Sequence, residues 1–318
     1  MEDKHKYFYT VYGINLDSDI EVVEFVTRHR ISEEKNRVIL GYGQLSEEIK
    51  NNIGKGSRIE VSKGNTWFYI EGVATYWIEN GTSIIVEPCE HCDRNLMKIY
   101  IMGSVLGFLL LQRQVLAIHG GTVVMDGQGI IFTGNRGAGK STLTTALGQK
   151  GYSFVSDDVA TINIESKTSV EPGFPFHKLC VDALESMNYD KEKCIDFKGD
   201  GKIKYLVIDM EGFHGEKASL SAICEIAIGD VEKVEIEEVL GREKFNKIIK
   251  NIYRTEYISR MDGMKPSYFK QCVKVAKDIK FFKITRPRDK YTVDEQIQII
   301  EKVFGADKSQ RAMGGGYL

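Results

Sequence analysis

A glycine-rich segment carries the strongest chemical signal in the sequence. It fits the pattern G-x-x-x-x-G-K-[ST], here with one further residue, through Gly134, Asn135, Arg136, Gly137, Ala138, Gly139, Lys140, Ser141 and Thr142. Glycines let such a loop curl so that successive backbone N–H groups face a phosphate. Lys140 adds a point charge for the β- and γ-phosphates, and the Ser141 hydroxyl can coordinate Mg²⁺. The segment therefore predicts a nucleotide-binding phosphate loop.

An aspartate pair, Asp157 and Asp158, forms the second signal, seventeen residues after Lys140. A ten-residue helix after the loop descends about 15 Å, and a five-residue strand climbs back about 16 Å. The pair is therefore expected at the level of the loop, at the carboxyl end of a neighbouring strand, where open α/β sheets bind ligands. One carboxylate can hold Mg²⁺ and the other can accept a proton from an acceptor hydroxyl. The residue types leave open which aspartate has which role.

His119 is the third candidate, fifteen residues before Gly134. It ends a predicted strand and is followed by Gly120-Gly121, which would allow another group to approach the backbone closely. A lone histidine is more often an ordinary core or surface residue than a functional one. The residue by itself therefore leaves both interpretations open.

The residues beyond the loop argue against two common nucleotide-binding classes. Guanine-specific GTPases use an Asn-Lys-x-Asp element, but Asn246-Lys247 is followed by Ile248-Ile249. ABC-type ATPases place their second acidic motif much farther downstream than seventeen residues. Both of these nucleotide-binding classes are therefore disfavoured.

The segments around these residues predict an α/β domain. Strand Gly129–Thr133 precedes the loop and helix Lys140–Gln149 follows it. Strands Val115–Ile118 and Thr122–Met125 come before, and Asp126-Gly127 is a tight hairpin signal. The first ninety residues read as short strands, with a second hairpin at Asn80-Gly81.

Three regions are predicted from this pattern. Residues 1–92 form a smaller β-rich (α+β) domain, a candidate for substrate recognition. Residues 93–305 form the P-loop catalytic domain with a mixed sheet, beginning with a long helix over Asp93–Gln112. Residues 306–318 form a mobile tail with a run of three glycines, Gly314–Gly316.

Composition excludes several functions. Lysine and arginine number 43 against 45 aspartates and glutamates, so there is no basic excess for nucleic acid. Six cysteines in 318 residues form no disulfide framework, which favours a reducing, cytoplasmic compartment. The apolar run Ile99–Leu111 has thirteen residues, whereas a membrane span needs about 20. We expect a buried core helix and neither a membrane nor a nucleic-acid partner.

Three segments together resemble the catalytic domain of HPr kinase/phosphorylase. They are Leu116–Gly121, Ile130–Thr142 and Gly151–Asp158. The resemblance implies an HPr-kinase-type P-loop fold in which the loop binds the nucleotide. It also implies that one aspartate helps to hold metal and the other is the base for a serine hydroxyl, here Asp157 and Asp158 respectively. By the same resemblance, His119 lies near the transferring phosphate.

Two departures set this chain apart from the bifunctional enzymes. Thr142 stands where they carry Glu, and their Arg-Gly-Leu-Gly-Ile segment is missing. The corresponding region, Glu171–Leu179, is more similar to HPr-kinase-related proteins of peptide natural-product clusters, including lasso-peptide tailoring kinases. Asn251–Arg254 and Thr285–Pro287 also resemble that subgroup.

The resemblance implies a Mg²⁺- and ATP-dependent serine kinase whose acceptor is a peptide or small protein, and in that subgroup a ribosomal natural-product precursor peptide. Three alternatives stay open: an HPr-type kinase/phosphorylase, a kinase of free serine or another small molecule, and a nucleotide-binding regulatory module without transfer activity. The sequence is compatible with a homo-oligomer.

Overall fold

Seven strands near the N-terminus form one mixed sheet in the order β1-β2-β3-β7-β6-β5-β4. The computed structural model describes residues 6–28, 36–187, 189–199 and 202–305, and all counts refer to these. The strands are β1 (Tyr7–Val11), β2 (Ile14–Ser18), β3 (Arg37–Tyr42), β4 (Ile59–Ser62), β5 (Asn65–Ile70), β6 (Ala74–Glu79) and β7 (Ser83–Pro88). The β-rich character of this region is confirmed; β2 and helix α1 (Glu47–Gly54) were not predicted.

The hairpin predicted at Asn80-Gly81 is confirmed between β6 and β7. Both residues have positive φ, 52° and 67°. Glu79 pairs with Ser83, so the connection is a three-residue loop, which is among the common hairpin lengths. The turn fixes the register and lays β7 beside β3, in the middle of the sheet.

The long helix predicted over Asp93–Gln112 is interrupted once. It consists of α2 (Arg94–Tyr100), a π-helical turn (Ile101–Val105) and α3 (Leu106–Gln112). The 19-residue segment Arg94–Gln112 is long and apolar enough to cross a membrane, but 67% of its most apolar stretch is buried within the protein. The ring of Phe108 packs on Phe68, and Tyr76 donates a hydrogen bond to the Met97 carbonyl. This is the buried core helix that the sequence predicts.

The same hydrophobic cluster joins this helix to the first sheet and to Val159, Phe174 and Phe176 farther along the chain. The helix therefore packs on the β-rich region although it lies beyond residue 92. The predicted boundary between residues 92 and 93 stays a prediction, and the predicted tail at 306–318 lies outside the described residues.

Eleven further strands and five further helices follow in the described part of the chain. The strands are β8 (Ala117–Met125), β9 (Gln128–Gly134), β10 (Ser153–Ser156), β11 (Val159–Asn163), β12 (Ser169–Glu171), β13 (Phe176–Cys180), β14 (Ile195–Gly199), β15 (Lys202–Ile208), β16 (Ala218–Gly229), β17 (Glu235–Glu238) and β18 (Lys280–Pro287). The helices are α4 (Lys140–Gln149), α5 (Val181–Ser186), α6 (Gly241–Lys250), α7 (Pro266–Asp278) and α8 (Val293–Phe304).

Strand β8 organises the second sheet. Strand β9 pairs antiparallel with one of its edges, and β10 and β11 pair antiparallel with the other. Strands β8, β11, β12, β16 and β9 form a closed circuit of pairings, and β18 extends β16 in parallel. The mixed α/β class is confirmed. Strands β13, β15 and β14 form a separate three-stranded sheet.

This arrangement brings the two predicted motifs to one edge. Because β9 and β10 both run antiparallel to β8, they share a direction and their carboxyl ends lie at the same edge. The phosphate loop follows β9, and Asp157 follows β10. The prediction that the aspartates return to the level of the loop is borne out, although β8 separates the two strands.

One prediction about β8 was wrong. The sequence suggested two strands broken at Gly120-Gly121, but β8 is continuous from Ala117 to Met125. A Cβ added at Gly120 would lie 2.3 Å from the carbonyl oxygen of Phe132 on β9. The glycine is therefore required by the close approach of two strands rather than by a turn.

We expect Gly120→Ala to lower the free energy of unfolding by about 1–3 kcal/mol, because the new methyl group must displace backbone. Gly148→Ala, in helix α4, is the matched control: a Cβ there meets nothing within 4 Å. Alanine should stabilise that helix by about 0.5–1 kcal/mol. Urea unfolding of both variants tests this, and equal stability of the two would contradict the packing argument.

Candidate functional site

The phosphate loop lies between β9 and α4, as the motif requires. Gly134, Gly137 and Gly139 have φ of 140°, 79° and 104°, which favour glycine over residues with a side chain. The Lys140 ammonium donates hydrogen bonds to the carbonyls of Gly134 (2.9 Å) and Asn135 (3.3 Å). Burial lowers the pKa of Lys140, an effect that Asp158 and Asp157 oppose. The ammonium thus lies against the loop, in reach of bound phosphates.

A second cation supports the loop from β18. The Nε of Arg286 donates to the Ala138 carbonyl at 2.9 Å, and its Nη2 lies 3.5 Å from the Gly137 carbonyl. The guanidinium therefore holds the loop's peptide groups from outside. In the sequence, Arg286 stands in the Thr285–Pro287 segment that resembles the peptide-kinase subgroup. Its place beside the loop follows from its position at the end of β18.

The two aspartates face different surroundings. The side chain of Asp157 is 2% exposed and that of Asp158 is 33% exposed. The Asp157 Oδ2 accepts a hydrogen bond of 2.8 Å from the backbone N–H of Lys178, and its Oδ1 lies 3.6 Å from His177 Nδ1. The Asp158 Oδ2 lies 3.2 Å from Lys178 Nζ, and its Oδ1 lies 3.7 Å from His119 Nδ1. Of the pair, Asp158 is the one that faces open space.

Charge keeps Asp158 ionised. Burial by itself would raise the pKa of Asp158, but the charge and hydrogen bond of Lys178, aided by the charge of Lys204, outweigh it and hold that pKa well below its ordinary value. For His119, burial lowers the pKa more than Asp158 raises it. The site therefore combines an ionised carboxylate with an imidazole that favours the neutral form.

The dipeptide His177-Lys178 on β13 organises both aspartates, and sequence reasoning assigned it no role. His177 is 1% exposed and lies between Asp157 and Asp209, whose Oδ2 is 3.7 Å from Nε2. Its ring packs on Phe154 at 4.1 Å between centroids. The sequence feature that could have indicated a role is the presence of two basic residues inside the Glu171–Leu179 segment. Only the fold shows which carboxylates these residues contact.

Asn251–Tyr253 completes the wall of the site next to His119. The N–H of His119 donates to the Asn251 carbonyl, and the N–H of Tyr253 donates to the Ala117 carbonyl. These bonds occupy the edge of β8 where β9 has already left for the phosphate loop. The rings of His119 and Tyr253 stack at 5.6 Å between centroids. His119 is thereby fixed beside the loop.

Two cavities meet at this wall. The first, of about 410 Å³, is lined by His119, Gly134, Asn135, Arg136 and residues 250–256, and we call it the loop-side cavity. The second, of about 200 Å³, is lined by Leu96, Ile99, Tyr100, Gly103, Ser104, Asp158, Lys178, Phe197, Lys204 and Tyr253, and we call it the Asp158 cavity. Tyr253 borders both. His119 of the first and Asp158 of the second approach within 3.7 Å.

The residues fit a magnesium ion by donor chemistry. Mg²⁺ prefers oxygen ligands and is usually held by one or two carboxylates, waters and substrate phosphates. Asp157 Oδ1 is a buried carboxylate oxygen without a hydrogen-bond partner, and Ser141, the second residue of α4, carries the motif's hydroxyl. Among the residues described, there is no cluster of three or more His, Cys, Asp or Glu side chains suited to metal. A phosphate-bound ion needs no such cluster.

The glycine loop between a strand and a helix defines a P-loop protein of the α/β class. Its sequence is similar to the HPr kinase/phosphorylase of Mycoplasmopsis pulmonis (strain UAB CTIP), with 36% identity over 151 residues. The match covers 42% of this chain and 46% of that relative, which is less than half of its length. It supports an HPr kinase-like fold, and the resemblance predicted from the motifs is confirmed.

A solved structure is also similar: the Hpr(Ser) kinase/phosphatase from Coxiella burnetii, at 14% identity. The similarity covers 63% of this chain and 99% of that one, with a TM-score of 0.29, below the level that establishes a shared fold. No protein-family model matches the chain.

The buried His177 predicts a loss of stability in alkaline solution. Burial would lower its pKa, but the carboxylates of Asp157 and Asp209 outweigh burial and raise the pKa to about 9. Because this folded-state pKa lies above the unfolded value of about 6.5, protonated His177 stabilises the folded protein. The contribution to the free energy of unfolding is complete below pH 6.5 and is lost as the pH rises through 9.

We therefore expect the unfolding free energy to fall between pH 6.5 and 9 by an amount on the order of 3 kcal/mol from this group. Denaturant unfolding across that range should show a shallower decline in His177→Gln. Asp209→Asn is the matched variant, because it keeps the imidazole and removes one carboxylate; its decline should be intermediate. An identical pH slope in all three proteins would contradict the charged state of His177.

Proposed function

We propose that this chain is an ATP- and Mg²⁺-dependent serine kinase that acts on a peptide or small protein. The observation that carries the proposal is the meeting of the two cavities at His119 and Asp158. The loop-side cavity borders the phosphate loop, and the Asp158 cavity opens on an ionised carboxylate. A γ-phosphate on one side and an acceptor hydroxyl on the other would meet at this junction.

The chain's own residues account for binding and proton transfer. Backbone N–H groups of the loop and Lys140 hold and neutralise the phosphates, and Arg286 keeps the loop in shape. Asp158 accepts the hydroxyl proton while the acceptor oxygen bonds to the γ-phosphorus. The bond to the bridging oxygen breaks, and its electron pair stays on ADP. Bound Mg²⁺ would neutralise charge on the β- and γ-oxygens.

For Asp157 we propose the metal-binding role implied by the family resemblance, together with Ser141. Its Oδ1 has no hydrogen-bond partner, which supports this assignment. Its ion pair with His177 and its hydrogen bond from the Lys178 N–H support a positioning role instead. The two roles differ in one measurable respect, since only a metal ligand should change the Mg²⁺ concentration that activity requires.

The size of the Asp158 cavity bears on the acceptor. Pockets that enclose drug-sized ligands measure roughly 300–1,000 Å³, whereas this cavity holds about 200 Å³. It therefore suits one residue-sized group rather than a folded surface. A serine of a flexible peptide fits this description, and so does free serine, which stays the alternative substrate. The precursor-peptide assignment rests on the resemblance of Glu171–Leu179 alone.

Two further alternatives are less well supported. An HPr-type kinase/phosphorylase, the activity for which the Mycoplasmopsis relative is named, would carry the Arg-Gly-Leu-Gly-Ile segment that this sequence lacks. A non-catalytic nucleotide-binding module would not need a carboxylate held ionised at the end of the phosphate site. All six cysteines are free thiols, which supports a cytoplasmic location for the kinase.

Lys140→Ala should weaken MgATP binding by about 10- to 150-fold, the loss of one charge-assisted hydrogen bond, and should abolish transfer. Calorimetry with MgATP measures the affinity. Lys150→Ala, at the exposed end of α4, removes a lysine outside the site and should leave the affinity unchanged. Equal affinities of the two variants would contradict the phosphate-loop assignment.

Asp158→Asn should reduce transfer by about 10²–10⁴-fold, the usual contribution of a general base, while MgATP binding survives. Intact-mass analysis of serine-containing candidate peptides after incubation with MgATP gives the rate. Asp157→Asn is the paired variant and should raise the Mg²⁺ requirement. Near-normal transfer by Asp158→Asn with loss in Asp157→Asn would exchange the two roles, and full activity of both would refute the kinase proposal.

A further inference from the structure

Two lysines of the three-stranded sheet share the Asp158 cavity, and neither belongs to the phosphate loop. We propose that Lys178 and Lys204 form an anion subsite on the acceptor side of the junction, which binds the phosphoryl group after its transfer to the acceptor. Its ligand class is a phosphate monoester dianion. This inference rests on the proposed function, because it takes the cavity to hold the acceptor.

The register of the sheet places both lysines on one face. Lys178 of β13 is directly opposite Leu206 of β15, and Lys204 is two residues from Leu206. Side chains two residues apart on a strand point to the same face, and such diagonal neighbours lie about 7–8 Å apart, within reach of long side chains. Phe197 of β14 pairs directly with Lys204 and lies in the same cavity. The strand pairing, rather than chance surface contact, brings the two ammonium groups to one cavity.

The charge balance of the cavity favours an anion. Its lining includes two lysines and one carboxylate, Asp158, while the other lining residues are uncharged. The Lys178 side chain is only 13% exposed, and its bond to Asp158 uses one of the three donors of an ammonium. Apolar walls from Leu96 and Ile99 lower the local dielectric, which strengthens attraction for a dianion.

The subsite is also close enough to the phosphate loop to receive the group that leaves it. His119, which lines the loop-side cavity, has its Nδ1 3.7 Å from Asp158 Oδ1, and Lys178 Nζ lies 3.2 Å from Asp158 Oδ2. A phosphoryl group that crosses this junction therefore moves from the loop that carries Lys140 toward Lys178 and Lys204.

Equilibrium binding separates this subsite from catalysis. The protein is first saturated with MgADP, and O-phospho-L-serine is then titrated by calorimetry, with inorganic phosphate and L-serine as parallel probes. We expect O-phospho-L-serine and phosphate to bind and L-serine to bind much more weakly. Lys178→Met and Lys204→Met should each reduce the O-phospho-L-serine affinity by about tenfold or more, the loss of one charge-assisted bond. Lys178→Arg, which keeps the charge, should retain most of it.

Lys274→Met, on the exposed part of α7, is the matched control and should bind like the unmodified protein. Failure of both phosphate probes to bind the unmodified protein would overturn the subsite. If the lysine variants lost MgADP affinity as much as O-phospho-L-serine affinity, the lysines would belong to the nucleotide site and the subsite would be refuted. It would also be refuted if L-serine bound as well as O-phospho-L-serine and the same variants abolished that binding, because the lysines would then bind a carboxylate. A protein that binds O-phospho-L-serine through these lysines but transfers nothing would refute the kinase and leave the subsite standing.

Discussion

The antiparallel pairing of β8 with strands on both of its edges is the constraint on which the site depends. It gives β9 and β10 a common direction, so the phosphate loop and the aspartate pair emerge side by side. The approach of β8 to β9 is so close that Gly120 has no room for a side chain. Where β9 leaves the sheet, Asn251–Tyr253 takes its place against β8 and fixes His119. Sheet geometry therefore sets the distance between the proposed nucleotide and acceptor sites.

The second requirement is electrostatic. Two adjacent aspartates, one of them almost fully buried, need compensating charge, because an unpaired buried carboxylate is costly. Strand β13 supplies it with adjacent residues: His177 and the Lys178 N–H serve Asp157, and the Lys178 ammonium serves Asp158. Docking of the small sheet onto the large one therefore both permits the aspartate pair and walls the Asp158 cavity, so that stability and site formation share the same contacts.

Much of the local structure could be predicted from the sequence. The phosphate loop, helix Lys140–Gln149 and both hairpins follow from patterns within a few residues, and the structure has them. The short strands β12, β13, β14 and β17 were missed, because the local residue pattern does not mark them and they form by pairing with β11, β15 and β18. The break proposed at Gly120-Gly121 failed for a different reason: local glycine preference cannot report a partner strand 2.3 Å from a missing Cβ.

The sequence by itself determined the proposed nucleotide side, since the glycine loop, its lysine and its serine stand within one continuous segment. It also brought the aspartates to the right edge, because helix and strand rises are fixed by covalent geometry. Only the tertiary structure decided which aspartate is enclosed, which lysines accompany Asp158 and what lines the second cavity. These three features depend on the packing of β13 and β15 against β10 and the helix Arg94–Gln112. The contacts join residues far apart in the chain, and burial and charge together stabilise them.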